Sequence, residues 1–142
     1  VAEWTRADVE ARLEAAARVM RAQPPVGPRG TFNAWPTYLH DFADKVGQQP
    51  EGRRPIPSPR AITEAEEAMV WLRWLEVDDA RIVWARAERT TWKPICWRFG
   101  ISRATAHRRW EYALSVIVWR LNGKRVPTKR SMQFVIDGAR PE

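Results

Sequence analysis

Eight of the eleven prolines of this 142-residue chain fall between residues 24 and 60, with Gly27, Gly30, Gly47 and Gly52 among them. Proline fixes φ and removes a backbone donor, so no long helix or central strand runs through that stretch. Regular structure must come from the residues on either side of it. Both flanks carry apolar residues at three- and four-residue steps, with no strand-like alternation of useful length and no internal repeat. The expected fold class is therefore all-α, in a chain long enough for one sizeable core.

Local signals place the helices. Residues 5–22 form the first, with Thr5 as N-cap, Asp8 three residues on, and Trp4 positioned to staple onto Val9. Val9, Leu13, Ala16, Ala17 and Met20 share its expected inner face, and Pro24-Pro25 ends it. Inside the proline-rich connector (24–60) a short helix is expected over residues 36–46, with Trp35, Leu39, Phe42 and Val46 apolar; the remainder reads as connector more than as a strap for a partner. Ser58 followed by Pro59 marks another start. Ile62, Ala65, Met69, Leu72 and Leu75 carry that helix to about residue 75, and Asp78 or Asp79 opens the next, holding Ile82, Val83, Trp84 and Ala87. Most of the nine tryptophans fall at helical steps and are expected in the core, with Trp97 turned toward a surface.

The net charge of +7 is concentrated in one stretch. Residues 1–88 carry 12 Lys and Arg against 14 Asp and Glu, whereas residues 89–130 carry 11 against a single acid, Glu111. Such a field suits a polyphosphate partner, because neutralised phosphates release condensed counterions. A solvated basic face has the same charge map, so a motif must decide.

Residues 90–123, TTWKPICWRFGISRATAHRRWEYALSVIVWRLNG, offer that motif. Thr91 caps a helix whose first turn tolerates Pro94, since the early amides lack intrahelical partners. Ile95, Cys96 and Phe99 face inward, Gly100 turns the chain in a left-handed conformation, Ile101 plugs the turn and Ser102 caps the next helix. Ala106, Trp110, Ala113, Leu114, Ile117 and Leu121 anchor that second helix. Arg103, Ala104, His107 and Arg108 then point outward near its N-terminus, where a recognition helix meets base edges; arginine suits guanine, while Thr105 and the first amides reach phosphate. Arg109 departs from the pattern, standing where an apolar residue is usual. A buried helical hairpin that binds another partner shares these spacings. The expected DNA-binding residues are Thr91, Lys93, Arg98, Ser102, Arg103, Ala104, Thr105, His107 and Arg108, joined by Lys124, Arg125, Lys129 and Arg130 of a basic tail. That tail either follows a phosphate backbone, enters a minor groove, or makes no fixed contact. Beyond it, Met132, Phe134, Val135 and Ile136 point to docking on the chain's own core or on a partner.

Residues 78–121 resemble the DNA-binding end (region 4) of sigma factors and the related response-regulator helix-turn-helix. The resemblance rests on Trp92-Lys-Pro-Ile95-Cys96, Gly100 and Ser102-Arg-Ala-Thr105-Ala106. Over nearly its whole length the chain is similar to an uncharacterised family of alphaproteobacterial prophages and gene-transfer-agent-bearing genomes. The segments that carry this similarity are WLRWLE, VWARAE, WKPICWRFGISRATAHRRW and WRLNGKRVP. It implies a phage-type DNA-binding protein, either a transcription regulator or a small terminase subunit that recognises packaging sites.

Little points to catalysis. His40, His107 and Cys96 do not make up a usual zinc ligand set, and no P-loop, dinucleotide fingerprint or nucleophile elbow occurs. Glu64, Glu66 and Glu67 read as a solvated helix face and Cys96 as core. No catalytic residue, metal or cofactor is expected. A lone cysteine excludes an internal disulfide and fits a reducing cytoplasm. No apolar run reaches membrane-spanning length, and acids stand where a signal peptide would be apolar. The expected organisation is a helical region with connector (1–76), a helix-turn-helix region (77–123) and a basic tail (124–142). The expected function is sequence-specific binding of double-stranded DNA, foremost as a transcription regulator working with RNA polymerase or another regulator. The alternatives are a small terminase subunit, which forms homo-oligomeric rings, and a protein–protein adaptor.

Overall fold

The computed structural model describes residues 3–23 and 55–141, so the helix expected over residues 36–46 lies outside the described residues. Every regular element among them is helical: α1 (Arg6–Ala22), α2 (Pro59–Trp71) with a 3₁₀ turn at Leu72–Trp74, α3 (Val77–Ala87), α4 (Trp92–Phe99), α5 (Arg103–Leu121) and α6 (Met132–Gly138). The fold is all-α. None of these helices is long and apolar enough to cross a membrane.

Caps set the first two starts. The Thr5 hydroxyl accepts the Asp8 amide, and the Asp8 carboxylate accepts the Thr5 amide at 3.0 Å, a reciprocal capping box. Hydrogen bonds from the Thr5 hydroxyl and then its amide hold the Asp8 carboxyl below the usual carboxylate range. Ser58 caps α2 through the Ala61 amide, with Pro59 in the first turn. At its other end α1 stops on Gln23, whose ψ of 141° is the extended geometry favoured before a proline.

Alanine lets α1 and α2 lie close. Ala16, Ala17, Ala65 and Ala68 are buried together with Val9, Leu13 and Trp71, and small contact residues shorten the distance between helix axes. Two inward expectations are corrected here. Met20 is 45% exposed while Val19 is buried, and Met69 is 37% exposed while Ala68 and Trp71 take the interior. Both candidate stripes obey helical spacing. The close approach of α1 and α2 selects the one that presents alanine and leaves the methionines at its shoulder. Glu64 is also more engaged than a solvated acid, since it meets Arg12 of α1 at 3.3 Å and Arg60 of its own helix at 3.0 Å.

α5 is the central strut, in contact with α1, α3, α4 and α6. Residues 113–118 are buried in succession, and the Ser115 hydroxyl among them donates to the Glu111 carbonyl at 2.7 Å. At its far end the Asn122 side chain accepts the Trp4 amide at 2.8 Å and donates to the Trp4 carbonyl at 3.1 Å, tying the approach to α1 onto α5. The Trp4 ring meets Trp71 edge-on at 5.4 Å.

The segment beyond the basic residues docks on the chain's own core, although Met132 and Phe134, two of the four apolar residues expected to dock, stay exposed. Val135, Ile136 and Ala139 are buried, and Trp119 Nε1 of α5 donates to the Val135 carbonyl at 2.9 Å. Gly138 lies so near the Trp119 ring that a Cβ there would collide with it.

Candidate nucleic-acid interface

The unit that positions the exposed arginines is α4, a tight turn and the first half of α5. Gly100 takes φ 63° and ψ 35°, a left-handed conformation that costs glycine little, and Ile101 N–H closes the turn on the Cys96 carbonyl at 3.2 Å. Ile95 and Ala106 are buried on the two sides of this turn. The Ser102 hydroxyl accepts the Thr105 amide at 3.2 Å and lies 2.9 Å from the Thr105 hydroxyl, which gives α5 the side-chain cap expected. Thr91 differs: it occupies the N-cap position of α4, but its side chain makes no capping hydrogen bond.

Between Arg103 and Arg108 only Ala106 is buried; Arg103, Ala104, Thr105, His107 and Arg108 are exposed. Exposure does not leave them equally free. The His107 ring stands 5.5 Å from both the Trp92 and Trp110 ring centres, and its Nδ1 lies 3.4 Å from Glu111, itself 3.7 Å from Arg6. His107 is thus fastened into an aromatic brace between α4 and α5.

That brace includes a residue sequence reasoning missed. Arg86, at the end of α3, places its guanidinium 4.4 Å from the Trp92 ring centre and 5.8 Å from that of Trp110, and donates to the Thr90 carbonyl at 2.8 Å. Its Nε is buried with no hydrogen-bond partner. A cleft of about 390 Å³ brings Arg86 together with Thr91, Lys93 and Arg103. The one clue in the sequence is the placement of Arg86 in the last turn of a helix that ends just before the motif. The preceding segment turns sharply on Arg89, the one non-glycine with positive φ (62°) among the described residues.

The expected site residues fall into separate groups. Thr91, Lys93 and Arg103 share the cleft, with Arg108 exposed farther along α5; Arg98 is exposed and lines a different groove, beside Met69, Val77 and Trp84. Lys124, Arg125, Lys129 and Arg130 are exposed in the segment that follows the opposite end of α5, a helix about 28 Å long by the rise of its 19 residues. The structure therefore does not bring the tail's cations beside the exposed half of α5.

Arg109, out of place in the motif, has a structural partner in α3. It is half-buried, and its charge acts on the buried Asp79. Burial pushes the Asp79 carboxyl above its ordinary range, and Arg109 draws it back only in part. Sequence reading placed Asp79 at or beside the start of the helix. In fact α3 begins at Val77 after Glu76, which puts Asp79 in its first turn at 7% exposure. Among the described residues no three His, Cys, Asp or Glu side chains gather where they could hold a metal ion.

A model of the family described as Domain of unknown function (DUF6362) matches residues 21–117. The chain belongs to that family. The DUF6362 match takes in the end of α1, α2, α3, α4 and most of α5, including the cleft and its arginines, and stops before residues 124–130 and α6. No curated protein and no solved structure matches the chain.

Proposed function

We propose that this protein binds double-stranded DNA through α4, the Gly100 turn and the N-terminal half of α5, used as a helix-turn-helix of the sigma region 4 type. The observation that carries this reading is the run Arg103, Ala104, Thr105, His107 and Arg108, exposed on the first turns of a helix whose residues 113–118 are buried in succession. A recognition helix needs such a construction, with base-reading side chains free and the helix axis held rigidly. Arg103 is the base reader. Arg108, five residues on and so about 140° around the helix, faces one wall of the groove. Lys93 and Thr91 meet phosphate beside Arg103. In this reading the protein is a transcription regulator of phage or gene-transfer-agent type, with RNA polymerase or another regulator as its protein partner.

The test is fluorescence anisotropy on duplex DNA across a salt series, after genome-wide binding mapping has supplied the preferred site. Affinity should fall steeply between about 50 and 200 mM salt, because phosphate neutralisation dominates it. A flat response would sink the DNA reading. A second reading, a small terminase subunit, is favoured by the exposed apolar side chains Met69, Val70 and Val77 on α2 and α3, which suit self-association. Mass in solution separates the two: a ring of many copies means packaging, a monomer or dimer means regulation.

A further inference from the structure

At the end of α5 remote from the Gly100 turn, a cavity of about 680 Å³ opens between the start of α3, the flank of α5 and residues 123–130. Its size is that of a small-molecule site. Asp79 lines it at 7% exposure. Among the described residues the Asp79 carboxylate has no hydrogen bond and no ion pair; only the longer-range charge of Arg109 favours its ionised form. The residue is enclosed while its carboxylate oxygens still open onto the cavity, so a donor entering there would be the partner they lack.

The rest of the cavity narrows what could pair with it. Trp74 and Tyr112 supply aromatic walls, and Trp74 is steadied by the Arg120 guanidinium 5.0 Å from its ring centre. Lys124, Arg125 and Arg130 also line the cavity, all three exposed, with Lys124 3.9 Å from Glu3; the cavity is acidic at the α3 end, where Glu76 joins Asp79, and basic along residues 124–130. Inorganic phosphate would satisfy the cations and leave Asp79 unpaired. An amine would suit Asp79 and be repelled by the surrounding cations. The occupant needs a planar body, an anionic end and adjacent N–H donors at the other end. Adenine and cytosine put an acceptor beside their amino group, which a carboxylate repels. Guanine offers N1–H and N2–H side by side, a fork that matches two carboxylate oxygens.

The geometry points to a guanine-nucleotide site, with the base edge on Asp79, the base plane against Trp74 and Tyr112, and the phosphates on Lys124, Arg125 and Arg130. It lies outside the surface proposed for DNA and is tested without DNA. Titration calorimetry of the full chain with guanosine, adenosine and xanthosine diphosphates, and with pyrophosphate, reads it directly. The guanine nucleotide should bind roughly tenfold or more tightly than the adenine one, the discrimination a bidentate pair provides. Asp79→Asn should invert the preference toward xanthosine diphosphate. The asparagine oxygen still accepts N1–H, and its amide now donates to the xanthine 2-oxygen. Arg125→Ala should weaken the guanine and adenine nucleotides alike and leave their ratio unchanged. Equal affinity for guanosine diphosphate, adenosine diphosphate and pyrophosphate would reduce the site to a basic surface and overturn the proposal. So would absence of binding, or loss of guanine binding in Asp79→Asn without a gain for xanthine. If Asp79→Asn fails to fold, the wild-type ratio and Arg125→Ala still decide.

Discussion

In the first turns of α5, residues 103–108, only Ala106 is buried, whereas residues 113–118 of the same helix are buried one after another. Backbone geometry is the same in both halves; the surroundings are not. The first turns rest on α4 through the contact of His107 with Trp92 and are otherwise exposed, while the helix as a whole also packs against α1, α3 and α6. A helix surrounded on every side needs no amphipathic stripe, which is why Ser115, Val116 and Val118 are buried although the spacing singled out only Ala113, Leu114 and Ile117. The difference teaches a division of labour within one continuous element. Stability is concentrated in the enclosed half, which leaves the side chains of the other half free to be chosen for what they contact.

Core truncation should break the comparison most visibly. Ile117→Ala should lower folding stability by about 2–5 kcal/mol, as large-to-small changes in a packed core do. Arg103→Ala and Arg108→Ala should stay within about 0.5 kcal/mol of wild type, the usual range for surface sites. Chemical denaturation of the three variants checks this. Comparable losses would mean that the exposed half contributes to the core after all.

Affinity should show the opposite ranking. Arg103→Ala should cost about 1–3 kcal/mol on the preferred duplex and relax preference at one base position. Lys93→Ala should weaken preferred and scrambled duplexes by the same factor and reduce the salt slope by about 1. Anisotropy on both duplexes at one salt concentration measures the contrast. If Arg103→Ala loses the same factor on each, α5 is not the sequence reader, and the search moves to residues 124–130.

A smaller effect sharpens the comparison at the start of each helix. Ser102→Ala removes a real cap and should destabilise by about 1 kcal/mol. Thr91→Ala removes a side chain that makes no capping hydrogen bond and should cost less. Thermal melts in one buffer order the pair. If the order reverses, the hydroxyl of Thr91 has a role that its geometry does not reveal.

The last expectation concerns pH. The Asp79 carboxyl is raised in the folded state by burial, so its contribution to stability is present at low pH and is lost as pH rises through its folded pKa. Asp79→Asn does not titrate at this position. It should therefore gain stability relative to wild type as pH rises through the carboxylate range. Urea midpoints at a series of pH values follow that gain, and a constant offset would contradict the assigned burial.

Much of this was legible in the chain because the signals act over a few residues. Thr5, Ser58 and Ser102 cap the helices they precede, Gly100 makes the turn, and the prolines from 24 onward stop α1. Each depends on backbone geometry or on a hydrogen bond to a residue three positions away. Charge was legible too, since counting requires no structure. It concealed a split, however: the cations of residues 89–130 occupy both ends of α5 and do not form one surface.

What the sequence by itself determined was therefore local: an all-helical chain, where most helices begin and turn, and which segment carries the positive charge. Tertiary structure decided which of two equally periodic stripes faces inward at Met20 and Met69. It set Arg86 against Trp92, laid α6 on Trp119, and enclosed Asp79 beside cations contributed by residues some fifty positions later in the chain. The physical reason is range. Caps and turns are satisfied within one helical turn, whereas burial and the environment of a charge depend on neighbours supplied by other helices, which helical spacing cannot name.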